Sequence, residues 1–362
     1  MKVVVAMSGG VDSSVAAALL KEAGYQVTGV TMQLLPRDKP AGAADASRTA
    51  AKLGIPHRVI DFSDIFADKV IADFCREYRR GRTPNPCIRC NRHIKFGALL
   101  EKTMEMGADF IATGHHARIE RDESSGRYLL KKGVDVNKDQ SYFLGTLTQQ
   151  QLSQALLPVG SFSKDRVRKI AGRLGLPTAA RPESQEICFV PDDDYPKFLK
   201  GYIPEAAEPG LILDRRGNIL GSHRGILFYT IGQRKGLGIA APEPRYVIDI
   251  RSEDNAIIVG GKEDVYGDEL IASGLNWISV PGLSQPLAVT ARIRYRHREA
   301  EATVTPLDED EVQVKFSQPQ MAITPGQAVV FYAGDTVIGG GTIATAGQSQ
   351  PKDRVKIEET IP

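Results

Sequence analysis

The chain has 362 residues, 42% of them hydrophobic and 25% charged, and 46 basic against 44 acidic side chains leave a formal net charge of +2. That length points to two or three domains, and four cysteines in so long a chain exclude a disulfide-scaffolded secreted protein. No stretch approaches the roughly 18 apolar residues of a membrane span, so the chain is expected in the cytoplasm without a membrane partner, and any polyanion site must come from local charge clusters.

Residues 1 to about 120 alternate KVVVAM, SSVAAALLKEAG, YQVTGVTMQLL, DASRTAAKLG and IPHRVIDF, a strand and helix alternation that predicts a parallel sheet covered by helices. Gly24 and Gly54 stand where left-handed helix caps are wanted. FGALLEKTMEMGADFIATGHHAR adds a helix and a strand, and delivers polar side chains at the carboxyl end of that strand, where open α/β sheets bind ligands. From about 146 to 200, helical patterns separated by Pro and Gly read as a helical extension. Beyond about 205 the pattern turns to short strands, with hairpins around Arg216-Gly217-Asn218 and Asp254-Asn255. The expected class is therefore α/β, with a catalytic unit over 1–205, a small central β domain over 206–272 and a second β domain over 273–362. The terminal QSQPKDRVKIEETIP reads as partly mobile.

SGGVDSS at 8–14 lies between an apolar strand and an Ala-rich helix. Ser8, Gly9 and Gly10 let the backbone approach phosphate oxygens, and the helix start supplies free N–H groups and the positive end of its dipole. Asp12 suits a Mg²⁺ ion bridging phosphates, while Ser13 and Ser14 can cap the helix or donate to phosphate. The competing reading is an ordinary Gly-Gly turn with an N-cap. The pattern is neither GxxxxGKS nor GxGxxG, so it lacks the lysine that grips outer phosphates in Walker-type loops. It resembles the pyrophosphate loop of the N-type ATP pyrophosphatases, which split ATP between the α- and β-phosphates to adenylate an oxygen. That resemblance implies ATP held by Ala6, Met7, Ser8, Gly9, Gly10, Val11, Asp12 and Ser13, with Met32 near the adenine.

TPNPCIRCN at 83–91 reads as a segment without regular structure, stiffened by Pro84 and Pro86, with asparagines able to read a base edge. Arg76, Arg79, Arg80, Arg82, Arg89, Arg92 and Lys95 surround it against the single acid Glu77, a setting expected to favour thiolates. Half a zinc site or a redox pair are the competing readings of its CxxC. Cys188, in RPESQEICFVPDDDY, is either reactive or a core residue between Ile187 and Phe189, and Cys75 is expected to be a buried apolar side chain.

Together SGGVDSS, NPCIRCN, TGHHAR, KDQSYFL, SQEICFV and GQRKGLGI, in that order over residues 8 to 239, resemble the tRNA-specific 2-thiouridylases, and the likeness runs along essentially the whole chain. The resemblance implies a PP-loop adenine nucleotide hydrolase-like domain followed by two small β domains, the last a β-barrel. It implies ATP-dependent 2-thiolation of the wobble uridine of tRNA, and the chain is expected to act as a monomer. Cys188 would take persulfide sulfur from a donor or sulfur-relay protein, and Cys90 would attack Cys188 to release it, leaving a disulfide. Asn85, Pro86 and Cys87 would face the target base and Gly114 the nucleotide; His115, Lys138, Asp139, Gln140, Arg294, Tyr295 and Gln327 would contact tRNA. Many members carry an aspartate where this chain has Cys87, which leaves a thiolate substitute or a mere occupant. It also leaves open a [4Fe-4S] cluster on Cys87, Cys90 and Cys188. RIRYRHR alternates at strand period, so Arg292, Arg294, Arg296 and Arg298 are expected on one face with Tyr295 opposite. The alternatives are another adenylating ligase, which leaves the cysteines unexplained, and a tRNA-binding or zinc module without turnover, against which SGGVDSS weighs.

Overall fold

A computed structural model describes residues 1–36, 42–181, 187–190, 192 and 194–347. The polar run Ser184, Gln185 and Glu186 and the terminal segment from 348, read above as partly mobile, lie outside the described residues.

The first domain is built on a five-stranded parallel sheet. Its order is His57–Asp61 (β3), Gln26–Gln33 (β2), Lys2–Ala6 (β1), Phe110–Ala112 (β4) and Ala155–Leu156 (β7). Val3, Val4 and Val5 of β1 are buried, as a central parallel strand covered on both faces requires. On one face Val11, Val15 and Ala16 of the helix Val11–Glu22 (α1) meet Val167, Ile170 and Ala171 of the helix Lys164–Arg173, with Ala46 and Ala50 of Ala43–Leu53 (α2). The other face is covered by a continuous helical run through Ser63–Phe66, Ala67–Ile71 and Ala72–Arg79, and by the helix that carries Cys90. Gly24 and Gly54 take the expected positive φ.

Two features of this domain differ from expectation. The stretch from about 146 completes the sheet through β7 and covers it through Lys164–Arg173, so it is part of the layered body; a two-residue strand is too short for any period to announce. The hairpin Ala117–Arg121 (β5) and Tyr128–Lys132 (β6) leaves the parallel sheet and extends the sheet of the last domain, where Lys131 pairs with Thr336.

Gly210–Leu213 (β8), Ile219–His223 (β9), Tyr246–Arg251 (β10) and Ala256–Gly260 (β11) form the central sheet, ordered β10-β11-β8-β9. Both expected hairpins are present, with Gly217 and Asn255 at positive φ in the turns. Last come Tyr266–Trp277 (β12), Leu287–Arg292 (β13), Ala300–Pro306 (β14), Glu311–Met321 (β15), Ala328–Ala333 (β16) and Thr336–Gly347 (β17). Because β12 pairs with both β15 and β17, these six strands close into an antiparallel barrel, and closure leaves them no free edge.

The arginine strand does not form as expected. β13 ends at Arg292, and residues 293–299 turn, with the His297 N–H bonded to the Arg294 carbonyl. Burial decides it: Arg292 points inward to Asp139 (3.2 Å) and Glu299 (2.7 Å), and Arg294 donates to the carbonyls of Ile231 and Ala322 and to Thr324. Only Arg296 and Arg298 of the four are exposed. No helix among the described residues is long and apolar enough to cross a membrane.

Candidate active site

β1 ends in the loop that opens α1. Gly9 has φ +75°, and a Cβ there would stand 2.3 Å from the Gly42 carbonyl oxygen, so only glycine lets the start of α2 close over the loop. Arg181 donates to the Gly9 carbonyl (2.9 Å) and pairs with Asp45, tying the same corner. The side chains of Ser13 and Ser14 both donate back to the Gly10 carbonyl, and Gly10, the residue before the helix, offers no side-chain cap. The first N–H groups of α1 therefore keep the open end on which an anion is stabilised. Gly114, following β4, lies against that first turn: a Cβ on it would meet the Ser13 nitrogen at 2.5 Å. Met32 is half-buried near the carboxyl end of β2, at the same edge of the sheet as the loop.

Asp12 is not alone at the loop. His116 Nε2 lies 3.0 Å from one carboxylate oxygen and Lys164 Nζ 2.6 Å from the other. Burial works against the charge, but the His116 and Lys164 contacts outweigh it and hold Asp12 below the usual carboxylate range. The lysine missing from SGGVDSS thus arrives from 152 residues further on, at the start of a helix capped by Ser163. Its only local signal is an ordinary helix start. His116 Nδ1 is buried without a hydrogen-bond partner among the described residues.

Cys87 and Cys90 sit on a helix, not in an irregular segment. Asn85 accepts from the N–H groups of Cys87 (3.2 Å) and Ile88 (3.4 Å) and Pro86 occupies the first turn, so Asn-Pro is a helix start whose signal was present in the sequence. The helix Pro86–Cys90 runs on through a π-type turn, Asn91–Ala98, into Leu99–Glu105. Asn91 donates to the Phe143 carbonyl (3.1 Å), while its Oδ1 is buried with no partner among the described residues. Opposite, Cys188 is exposed because Phe189 turns inward, against Phe66, Phe74 and Phe198 at centroid distances of 5.3–5.5 Å. The core reading therefore holds for Phe189 and not for Cys188.

The thiols are not activated by the arginines. Arg76 and Arg89 are paired with Asp73, Arg79 with Glu205, and Arg80 and Arg82 with Glu77. Burial pushes the Cys90 thiol up to about 12, with Cys188 and Cys87 adding to the rise and Lys95 opposing it. Burial also raises Cys87 and Cys188, although both reach solvent, with Lys95 opposing the rise at each. Cys75 is buried and pushed up to about 11, as an inert apolar thiol should be. His115 stands between the loop residue His116 and the charge of Lys95. It follows Gly114 and precedes His116, its ring lies 6.0 Å from that of Phe96, and burial, with Lys95 and His116 near, holds it well below the ordinary histidine value.

The family model described as tRNA methyl transferase HUP domain matches residues 1–192, the tRNA methyl transferase PRC-barrel domain 196–261, and the aminomethyltransferase beta-barrel domain 267–343. The tRNA-specific 2-thiouridylase MnmA of Heliobacterium modesticaldum is 55% identical over 94% of this chain and 92% of its own. Counterparts in Caldanaerobacter subterraneus and Clostridioides difficile are 54% and 51% identical, over 94% of this chain and 97% and 98% of theirs. The chain belongs to the tRNA-specific 2-thiouridylase family.

Several positions that resemblance to the 2-thiouridylases assigned to tRNA are engaged within the protein. Asp139 is buried, accepting from the Gly133 and Ser141 backbones, the Ser141 hydroxyl and Arg292. Gln140 exchanges hydrogen bonds with the His116 backbone (2.9 Å each), fixing the residue that touches Asp12. Gln327 donates to the Thr83 carbonyl (2.7 Å), and Thr83 donates to the Pro325 carbonyl, so a barrel turn clamps the approach to the cysteine helix. Tyr295 lies against Phe143 at 4.3 Å, and Lys138 is half-buried in the loop before Asp139. As for metals, no group of three His, Cys, Asp or Glu side chains among the described residues is disposed to hold a single metal ion.

Proposed function

We propose that this chain 2-thiolates the wobble uridine of tRNA at the expense of ATP. One observation carries the reading: Asp12 of the phosphate loop is bonded to His116, the adjacent His115 lies in the field of Lys95, and the same ammonium acts on Cys87, Cys90 and Cys188. The open N–H groups of α1 and the ammonium of Lys164 receive the triphosphate. Asp12, kept ionised, would hold Mg²⁺ in place of the Lys164 ammonium that now bonds it, and the ion would neutralise phosphate charge there. A uracil carbonyl oxygen is a poor leaving group until adenylated; joined to AMP it can depart, with pyrophosphate released earlier.

Sulfur then follows from Cys188 carrying a persulfide delivered by a donor or relay protein. The Cys90 thiolate attacks Cys188 Sγ, the Cys90–Cys188 disulfide forms, and hydrosulfide leaves with the electron pair of the broken S–S bond. Hydrosulfide adds at C2 of the adenylated base, AMP departs and a proton is lost, giving 2-thiouridine; a dithiol reductant restores the two cysteines. Asn85, Pro86 and Cys87 border the place of the base, which has to leave its stack to reach them. His115, Lys138, Asp139, Gln140, Arg294, Tyr295 and Gln327 act on the tRNA site. For those bonded internally, this means shaping the surface the RNA meets.

The test is pyrophosphate release together with nucleoside mass spectrometry after incubation with ATP, Mg²⁺, an unmodified transcript and a persulfide donor. Cys188→Ala should adenylate and yield no 2-thiouridine, whereas Asp12→Ala should lose pyrophosphate release by at least about 100-fold. Normal thiolation by Cys188→Ala would overturn the carrier role, and absence of pyrophosphate release from the unsubstituted enzyme would overturn the whole reading.

A further inference from the structure

Of the basic residues between 76 and 95, five arginines are spent on Asp73, Glu77 and Glu205. Lys95 makes no ion pair among the described residues, yet its charge acts on Cys87 and Cys90 of its own helix, on Cys188 from the segment opposite and on His115 from the loop after β4. Helix type explains how it gets there. Residues five apart in an α-helix face about 140° away from each other, whereas a π-type turn, bonding five residues back, stacks them. Asn91–Ala98 is such a turn, and the Leu99 N–H returns to the Ile94 carbonyl. Widening the helix just after Cys90 brings Lys95 toward the face that carries the thiol. Buried Phe96, with its ring facing His115, fixes that orientation.

We propose that Lys95 is a positioning residue for sulfur transfer, a fixed cation that keeps negative sulfur in the cleft as it passes from Cys90 to the departing hydrosulfide. The proposal rests on the thiolation reading above. When the Cys90 thiolate attacks Cys188 Sγ, negative charge moves from Cys90 to the released sulfur, and both ends of that path lie in the field of one ammonium. A partly enclosed site gives such a charge little help from water, and a fixed cation needs no rearrangement as the charge moves.

The experiment reads the local field directly, without ATP, tRNA or a sulfur donor. Cys188 is alkylated at neutral pH by anionic iodoacetate and by neutral iodoacetamide, and the ratio of the two rates is taken from peptide mapping. In Lys95→Met the ratio should fall roughly three- to tenfold, and Lys95→Arg should restore it, with single-turnover 2-thiouridine formation following the same order. Lys95→Gln serves should Lys95→Met fail to fold, as judged by thermal melting. An unchanged ratio in the neutral variant, or no recovery with arginine, overturns the proposal. Failure of the unsubstituted enzyme to thiolate would overturn the function instead, and leave the ratio to stand on its own.

Discussion

Asn85 and Cys90 have opposite jobs within six residues. Asn85 spends its side-chain oxygen on the first turn of the cysteine helix, so Asn85→Ala should cost about 1 kcal/mol of stability, read from the urea midpoint, and lower thiolation by loosening Cys87 and Cys90. Loss of activity with an unchanged midpoint would instead assign Asn85 to the base alone. The candidate site was legible in the sequence as motifs, since phosphate loop, CxxC and Cys188 each lie in a contiguous run whose residue types suggest their chemistry. Their surroundings were not. Asp73 and Glu205, which occupy the arginines, lie outside the basic stretch, and Lys164 reaches Asp12 across 152 residues. The inference that nearby arginines activate the thiols failed for that reason: local charge counts do not reveal which charges are already paired.

At the level of elements, periodicity served well where an element is long and one-sided, and poorly where it is short or altered by burial. The parallel sheet and both central hairpins could be read from alternation and turn residues. The strand β7 has two residues, and the arginine segment keeps a strand period while folding as a turn, because Arg292 and Arg294 satisfy buried acceptors. The Pro325-Gly326-Gln327 turn carries a Pro-Gly turn signal, but its docking on Thr83 does not show in the sequence. Gly326 has φ +91° and a Cβ on it would stand 3.0 Å from the Thr83 nitrogen. Gly326→Ala should destabilise the protein by about 1–3 kcal/mol and reduce thiolation beyond what that loss explains, by shifting the approach to the cysteine helix. Equal thermal melting and equal turnover would show that the clamp is not needed.

Across the whole molecule, protonation is opposed at many separate points. Five of the six histidines, His57, His93, His115, His223 and His297, are held below their ordinary value, with burial the leading cause. Below about pH 6.5 an unfolded chain takes up protons that the folded one refuses, so this stability is complete above that value and is lost as pH falls through the depressed folded values. Asp12, also depressed, adds a further loss at lower pH. The urea midpoint should therefore decline from pH 7 to pH 5, and a midpoint rising over that interval would contradict the burial of these rings. The hairpin β5–β6 is the last feature to carry a consequence. It is encoded in the nucleotide-binding part of the chain yet lies on the barrel's sheet, with Lys132 bonded to Glu299 and the Gly334 carbonyl, and Arg118 to Asp335. Modular exchange is thereby constrained: a lineage or an engineer replacing the barrel must match a surface written more than 150 residues upstream, which favours inheriting the two ends of the gene together.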